Sequence, residues 1–189
     1  MTYRNVFLLL LFLFLASSCS MFRYTPQTTY FDLGDTRISE SKNYGIEIKG
    51  FSSDIPASTR MVFRKDSNEI EYDIYNNWAQ TPQNILTKYL ILYFNNPHKQ
   101  MDSRYANKKL TIDGNIYNFE CNMDTKEAVL NARIKIIQNE TIISNKIHSI
   151  REKMAALTAS DFSKAMAQAA FRLAQQIEND IDNLEKLNN

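Results

Sequence analysis

From Phe162 to Leu184 the chain places an apolar residue every three or four positions: Phe162, Met166, Ala169, Leu173, Ile177, Ile181 and Leu184. That period is helical and lines all seven along one stripe. Lys164, Gln168, Arg172, Gln175, Glu178, Asp182 and Glu185 fall on the outer surface. Thr158, three residues before Asp161, makes a capping-box-like start. A helix this long with one apolar stripe must lie against another apolar layer. The small side chains of Ala165, Ala169 and Ala170 let that layer be a closely packed sheet.

Strands that could form such a sheet precede it. Tyr30–Leu33 reads as a first strand ended by Gly34-Asp35, followed by a polar loop over 35–43. Gly45–Phe51 alternates, with Ile46 and Ile48 on one face and Glu47 and Lys49 on the other. Ser52–Ser58, with Pro56, reads as loop. Arg60–Lys65 and Glu69–Tyr75 form a hairpin through the turn residues Asp66-Ser67-Asn68. In the second strand Ile70, Tyr72 and Ile74 share a face opposite Glu69, Glu71 and Asp73.

A first helix is expected after "TPQN". Thr81 can cap it, and Pro82 suits the first helical position, where its missing N–H has no partner to lose. Ile85, Leu86, Tyr89, Leu90 and Tyr93 form its apolar stripe, and Asn95-Asn96-Pro97 stops it. The chain then repeats strands before helix. Over 109–123 the apolar phase changes, with Leu110 and Ile112 in one phase and Tyr117, Phe119 and Cys121 in the other. That change is expected as a bulge or kink at Asp113-Gly114. Ala128–Ile137 puts Leu130, Ala132, Ile134 and Ile136 on one face, and Asn139-Glu140 turns the chain into a strand from Ile142 to about Ile150. The order strands–helix–strands–helix predicts an α+β fold of two layers, a mostly antiparallel sheet with both helices on one face. The other face is either exposed or covered by another subunit.

The first residues belong to a different kind of segment. Arg4 is followed by the unbroken apolar run Val6–Ala16 and then by Ser17-Ser18-Cys19. A charged start, a short apolar run and small residues make the pattern of a secretory signal. The run is short of the roughly 20 apolar residues that span a bilayer. An uncleaved anchor is the other reading, disfavoured by the abrupt stop at small residues. "LASSC" resembles a bacterial lipobox, although Leu15 stands one place early and Ser18 occupies a position where Gly or Ala is commoner. The resemblance implies that Cys19 becomes the acylated first residue of the mature chain, held at a bilayer surface. In lipoprotein sorting, Ser20 rather than an acidic residue implies the periplasmic face of the outer membrane. The expected organisation is a signal peptide over 1–18, a lipidated N-terminus and tether over 19–28, and one domain over 29–189.

Little in the mature chain is reactive. With 22 basic and 21 acidic residues the net charge is +1 and no basic block stands out, so nucleic acid is not an expected partner. If Cys19 is acylated, Cys121 has no partner and reads as a buried, inert thiol. His98 and His148 are the only histidines, too few for a metal centre without further ligands. There is no phosphate loop and no nucleophile elbow. The expectation is no cofactor, no metal, no catalytic residue and no enzyme. Trp78, the one tryptophan, follows a strand and precedes a helix cap. Its expected role is to plug the sheet–helix junction with its N–H on a loop carbonyl; the other reading is a contact anchor for a partner, with Tyr75 and Pro82 beside it.

The stretch from Tyr30 to Leu90 resembles the ABC-type transport auxiliary lipoproteins, which include the paraquat-inducible protein C-like lipoproteins. The residues that carry this are Tyr30 and Leu33, "IEIKGF", Arg60, Val62 and Arg64 of "TRMVFRK", and Tyr72, Tyr75, Trp78, Pro82, Leu86 and Leu90. Ala165–Ile177 resembles the family's closing helix. Asn77 stands where the family often has arginine. The resemblance implies a non-enzymatic, outer-membrane-tethered periplasmic lipoprotein. Such a protein docks to an MCE-domain (mammalian-cell-entry-type) protein that works with an ABC permease and ATPase on phospholipid or other hydrophobic cargo. Homo-oligomeric rings are among the assemblies it allows. The alternative is a lipoprotein that assembles another envelope or secretion machine.

Overall fold

The computed structural model describes residues 27–34, 43–55, 58–105 and 108–187. The signal-like segment, Cys19, Ser20, the polar stretch 35–42 and Pro56 lie outside the described residues. Among the described residues eight strands and two helices follow one another as β1 (Thr29–Phe31), β2 (Glu47–Ile48), β3 (Ser52–Ser53), β4 (Arg60–Arg64), β5 (Ile70–Trp78), α1 (Pro82–Phe94), β6 (Leu110–Asn122), β7 (Glu127–Gln138), β8 (Thr141–Lys153) and α2 (Ala159–Leu187).

The strands form one open mixed sheet in the order β1-β5-β4-β6-β7-β8. The β4–β5, β6–β7 and β7–β8 ladders are antiparallel. The short pairs β1–β5, β2–β6, β3–β6 and β4–β6 are parallel. Strand β6 is the spine: β7 runs along one side, while β2, β3 and β4 line up in turn along the other. The expected α+β fold with a largely antiparallel sheet is what forms.

Alternation decides which face is covered. Ala128, Leu130, Ala132, Ile134 and Ile136 of β7 are all buried and join the stripes of both helices in one apolar cluster. From α1 come Ile85, Leu86, Leu90 and Phe94, and from α2 Phe162, Met166, Leu173 and Ile177. Ala165, Ala169 and Ala170 are buried, as close packing of α2 requires. The opposite face carries ion pairs such as Lys135–Asp113 and Arg151–Glu127.

Several local expectations change. Strand β1 ends at Phe31, and within the "GIEIKGF" stretch only Glu47–Ile48 joins the ladder, although Ile46 is buried as expected. Ser52–Ser53, read as loop, pairs with Asn115 and Ile116. Strand β8 runs on to Lys153. The register of β6 shifts between Ile116 and Asn118, not at Asp113-Gly114. Ile116 keeps the inward phase of Leu110 and Ile112, and Phe119 and Cys121 take the new one. Gly114 serves a different purpose. The ring of Phe51 lies across it, and a Cβ there would meet that ring at 2.4 Å. Thr81 sits at the N-cap of α1, but its hydroxyl makes no capping bond; only its carbonyl accepts, from the N–H groups of Asn84 and Ile85. Thr158 does cap α2, its Oγ1 accepting from the Asp161 N–H at 3.1 Å.

Candidate functional site

Strand β5 positions the residues singled out in the sequence. Its regular pairing with β4, Val62↔Tyr72 to Arg64↔Ile70, gives way to Arg60↔Asn77, so β5 carries extra residues between Tyr72 and Asn77. Asp73 organises this bulge. Its Oδ1 accepts the N–H groups of Tyr75 and Asn76 at 2.8 and 2.9 Å, and its Oδ2 accepts the Asn76 amide at 2.8 Å. Burial raises the Asp73 pKa, but the Asn76 side chain and the two backbone N–H groups outweigh it, so the carboxyl titrates below its ordinary value.

Past the bulge, β5 turns inward at Trp78. The indole is wholly buried and meets Phe119 and Phe162 edge-on, at 5.1 and 5.3 Å between ring centroids. It fills the junction of β6 and α2. Its N–H has no hydrogen-bond partner among the described residues, contrary to the expected carbonyl contact. The aromatic packing holds the ring there without a polar tie. Pro82 is buried at the start of α1, whereas Tyr75 is 46 % exposed. The three residues are thus split between core and surface. Only Tyr75 presents a side chain to solvent.

Tyr75 faces a groove of about 670 Å3 between β5 and the start of α2. Phe31, Phe63, Ile74, Met123 and Leu157 share its lining, with Glu71 and Asp73 among the polar groups. Ile70 and Ile74, expected on one face with Tyr72, are exposed at 42 % and 62 %. Nothing in the sequence marked them as surface residues, since their alternation is that of a half-buried strand.

A second polar assembly lies on α2. Glu178 and Asp182, expected on its outer surface, point instead toward three tyrosines. The hydroxyls of Tyr44 and Tyr93 donate to the two oxygens of Glu178, the latter at 2.9 Å. Tyr105 donates to Asp182 at 2.7 Å. Burial first, then the bond to Glu178 and its charge, raise the Tyr44 pKa far above its ordinary value, so its hydroxyl stays a donor. The arrangement ties the segments around α1 to α2 and offers no exposed nucleophile. A helix-period count cannot find it, because the tyrosines come from three separate segments.

The groups with chemical potential are dispersed. Cys121 is buried, 3.5 Å from the Met154 sulfur, with its thiol pushed up to about 11 by burial and by Glu120. His148 Nδ1 lies 2.8 Å from Gln176 Oε1, and its Nε2 is 3.5 Å from Asp180, which also holds Lys146 at 2.6 Å. His98 sits exposed in the turn after α1. Among the described residues no three His, Cys, Asp or Glu side chains group as a metal site. No helix among them is long and apolar enough to cross a membrane.

Comparison with solved structures shows the same fold elsewhere. A crystal structure of an uncharacterized protein matches with a TM-score of 0.65 at 13 % identity, covering 82 % of this chain and 99 % of that one. Protein XCC0632 from Xanthomonas campestris, assigned to family DUF330, matches with a TM-score of 0.59 at 12 % identity, covering 82 % and 85 %. No curated protein matches the sequence. The family model of the ABC-type transport auxiliary lipoprotein component matches residues 53–178, from β3 to the middle of α2, and so spans the β5 bulge, Trp78 and most of the core. The chain belongs to the ABC-type transport auxiliary lipoprotein component family.

Proposed function

We propose that the protein is an outer-membrane lipoprotein that serves as the periplasmic docking component of an MCE-type ABC transport system for phospholipid or other hydrophobic cargo. The observation that carries this reading is the family match over residues 53–178. That family is a transport auxiliary component rather than an enzyme family. In this reading Cys19 is the acylated attachment point and Ser20 directs it to the outer membrane. The 29–189 domain then works by contact. Acyl chains at one end and a protein partner at the other form two linked attachments, which raises the effective concentration of the partner without any new chemistry. The tyrosine–carboxylate ties suit this role, because a docking module transmits position only if its layers hold together.

Anchoring and partnership are tested separately. Wild-type protein should fractionate with the outer membrane and carry acyl chains on Cys19 by intact-mass measurement, and Cys19→Ser should abolish both. Unchanged mass and location in Cys19→Ser would end the lipoprotein reading of this cysteine. Partnership is tested by co-purification of an MCE-domain protein with the wild-type chain after mild solubilisation.

A further inference from the structure

The sheet has an unpaired stretch beside the groove. Strand β1 covers only the last three residues of β5, from Asn76 to Trp78. Ile70–Tyr72 is paired with β4 on one side and has no strand on the other among the described residues, and Asp73–Tyr75 follow as the bulge. The outward backbone groups of Ile70–Tyr72 are therefore open to pairing with another chain, whereas the Tyr75 N–H is already taken by Asp73. Apolar exposure collects at the same place. Of nine exposed large hydrophobic residues among the described ones, Tyr30, Ile70, Ile74, Tyr75 and Leu157 lie on β1, on β5 or just before α2. That clustering, against a groove lined by Phe31, Phe63 and Met123, separates this edge from scattered surface apolars.

Charge selects what fits. The strand and its approach carry Glu69, Glu71 and Asp73, and among the described residues Lys65 alone answers the two glutamates, at 3.3 and 3.0 Å. Arg64 is committed to Glu120, at 2.7 Å. The edge is therefore net acidic. An anionic lipid surface would be repelled there, and a second copy of the chain pairing through β5 would set like charges together. We infer that the Ile70–Tyr72 edge, beside the groove, binds an extended segment of a partner protein that alternates apolar with basic residues. That segment adds to the sheet as a strand, with its apolar side chains on the face of Ile70 and Tyr72 and its basic ones on the face of Glu69 and Glu71, at the groove. The inference rests on the docking reading above and names the site and chemistry of the contact.

The test uses the full chain in detergent micelles and four probes. They are a capped eight-residue peptide of alternating valine and lysine, the same peptide with glutamate for lysine, an N-methylated lysine peptide that cannot pair its backbone, and phosphatidylglycerol vesicles. Calorimetric titration should show the lysine peptide binding at least tenfold more tightly than either control peptide. Amide shifts should concentrate in Ile70–Tyr72. Ile74→Arg, at an exposed position, should weaken binding tenfold or more, and Glu71→Lys severalfold. Equal binding of the glutamate or N-methylated peptide, no binding of any peptide, or an unaffected Ile74→Arg would overturn the inference. A tenfold tighter lysine-peptide affinity on deletion of residues 20–28 would make the protein's own tether the occupant. Self-association lost in Ile74→Arg would make it a second copy, and vesicle binding lost in that variant would make it the membrane; each overturns the partner segment. The peptides contain no transporter component. Failure here with an MCE-domain protein still co-purifying would refute this site alone, and the reverse result would refute the docking reading alone.

Discussion

Replacing Trp78 distinguishes an internal plug from a contact residue. The indole is fully buried between Phe119 and Phe162. A buried tryptophan removes up to about 250 Å2 from water, worth up to about 6 kcal/mol at roughly 25 cal/mol per Å2. Alanine keeps part of that, and the cavity left behind adds a cost, so Trp78→Ala should lose about 4 kcal/mol. Each edge-to-face pair contributes about 0.5–1.5 kcal/mol of this. For a chain of this size the loss lowers Tm by about 8–16 °C. Trp78→Phe should behave differently. It keeps a ring for both neighbours and removes an N–H that has no partner among the described residues, a group whose burial costs about 1–3 kcal/mol. The lost area and the relieved polar group offset each other, leaving a net change within about 1.5 kcal/mol. The assay is urea and thermal unfolding followed by far-ultraviolet circular dichroism, since the only tryptophan is being removed. A Trp78→Ala loss under about 1 kcal/mol would refute the reasoning, as would a phenylalanine variant as unstable as the alanine one.

Gly114→Ala should cost about 1–3 kcal/mol, because its Cβ would press into the Phe51 ring; Phe51→Leu in the same chain should recover part of the loss in urea unfolding. Glu140, at φ 69° in the two-residue β7–β8 turn, holds a left-handed backbone that glycine adopts freely, so Glu140→Gly should raise stability by about 1 kcal/mol by the same measurement. The lowered pKa of Asp73 stabilises the fold fully above the unfolded carboxyl's ordinary value and is lost as pH falls through the folded one. Unfolding midpoints of wild type should therefore fall faster below about pH 4 than those of Asp73→Asn, the unfolded reference being ~3.9.

The parts of the fold legible in the sequence were those set by period. The seven-residue stripe of α2 is readable because a 3.6-residue period over about six turns has no competing explanation, and all but Leu184 are fully buried. The β4–β5 hairpin and the inward face of β7 followed from turn chemistry and alternation in the same way. The β6 bulge is hard to place from sequence because Gly114 offers an obvious breaker, whereas the shift occurs at Tyr117, where no residue type announces it. Glu178 and Asp182 look solvated in sequence because charge on a helix usually is; their partners are tyrosines 134, 85 and 77 residues away. The groove was hidden for a related reason. It is defined by a strand that stops early, and which partner covers a strand edge is a property of topology rather than of the strand's own residues.

Affinity purification of the wild-type chain from gently solubilised envelopes, with quantitative mass spectrometry of what accompanies it, tests the central claim most directly. The account predicts an MCE-domain protein together with its ABC permease and ATPase, at yields that drop when Cys19→Ser removes the membrane attachment. Recovery of the chain with none of these, or with components of a secretion or assembly machine instead, would contradict it.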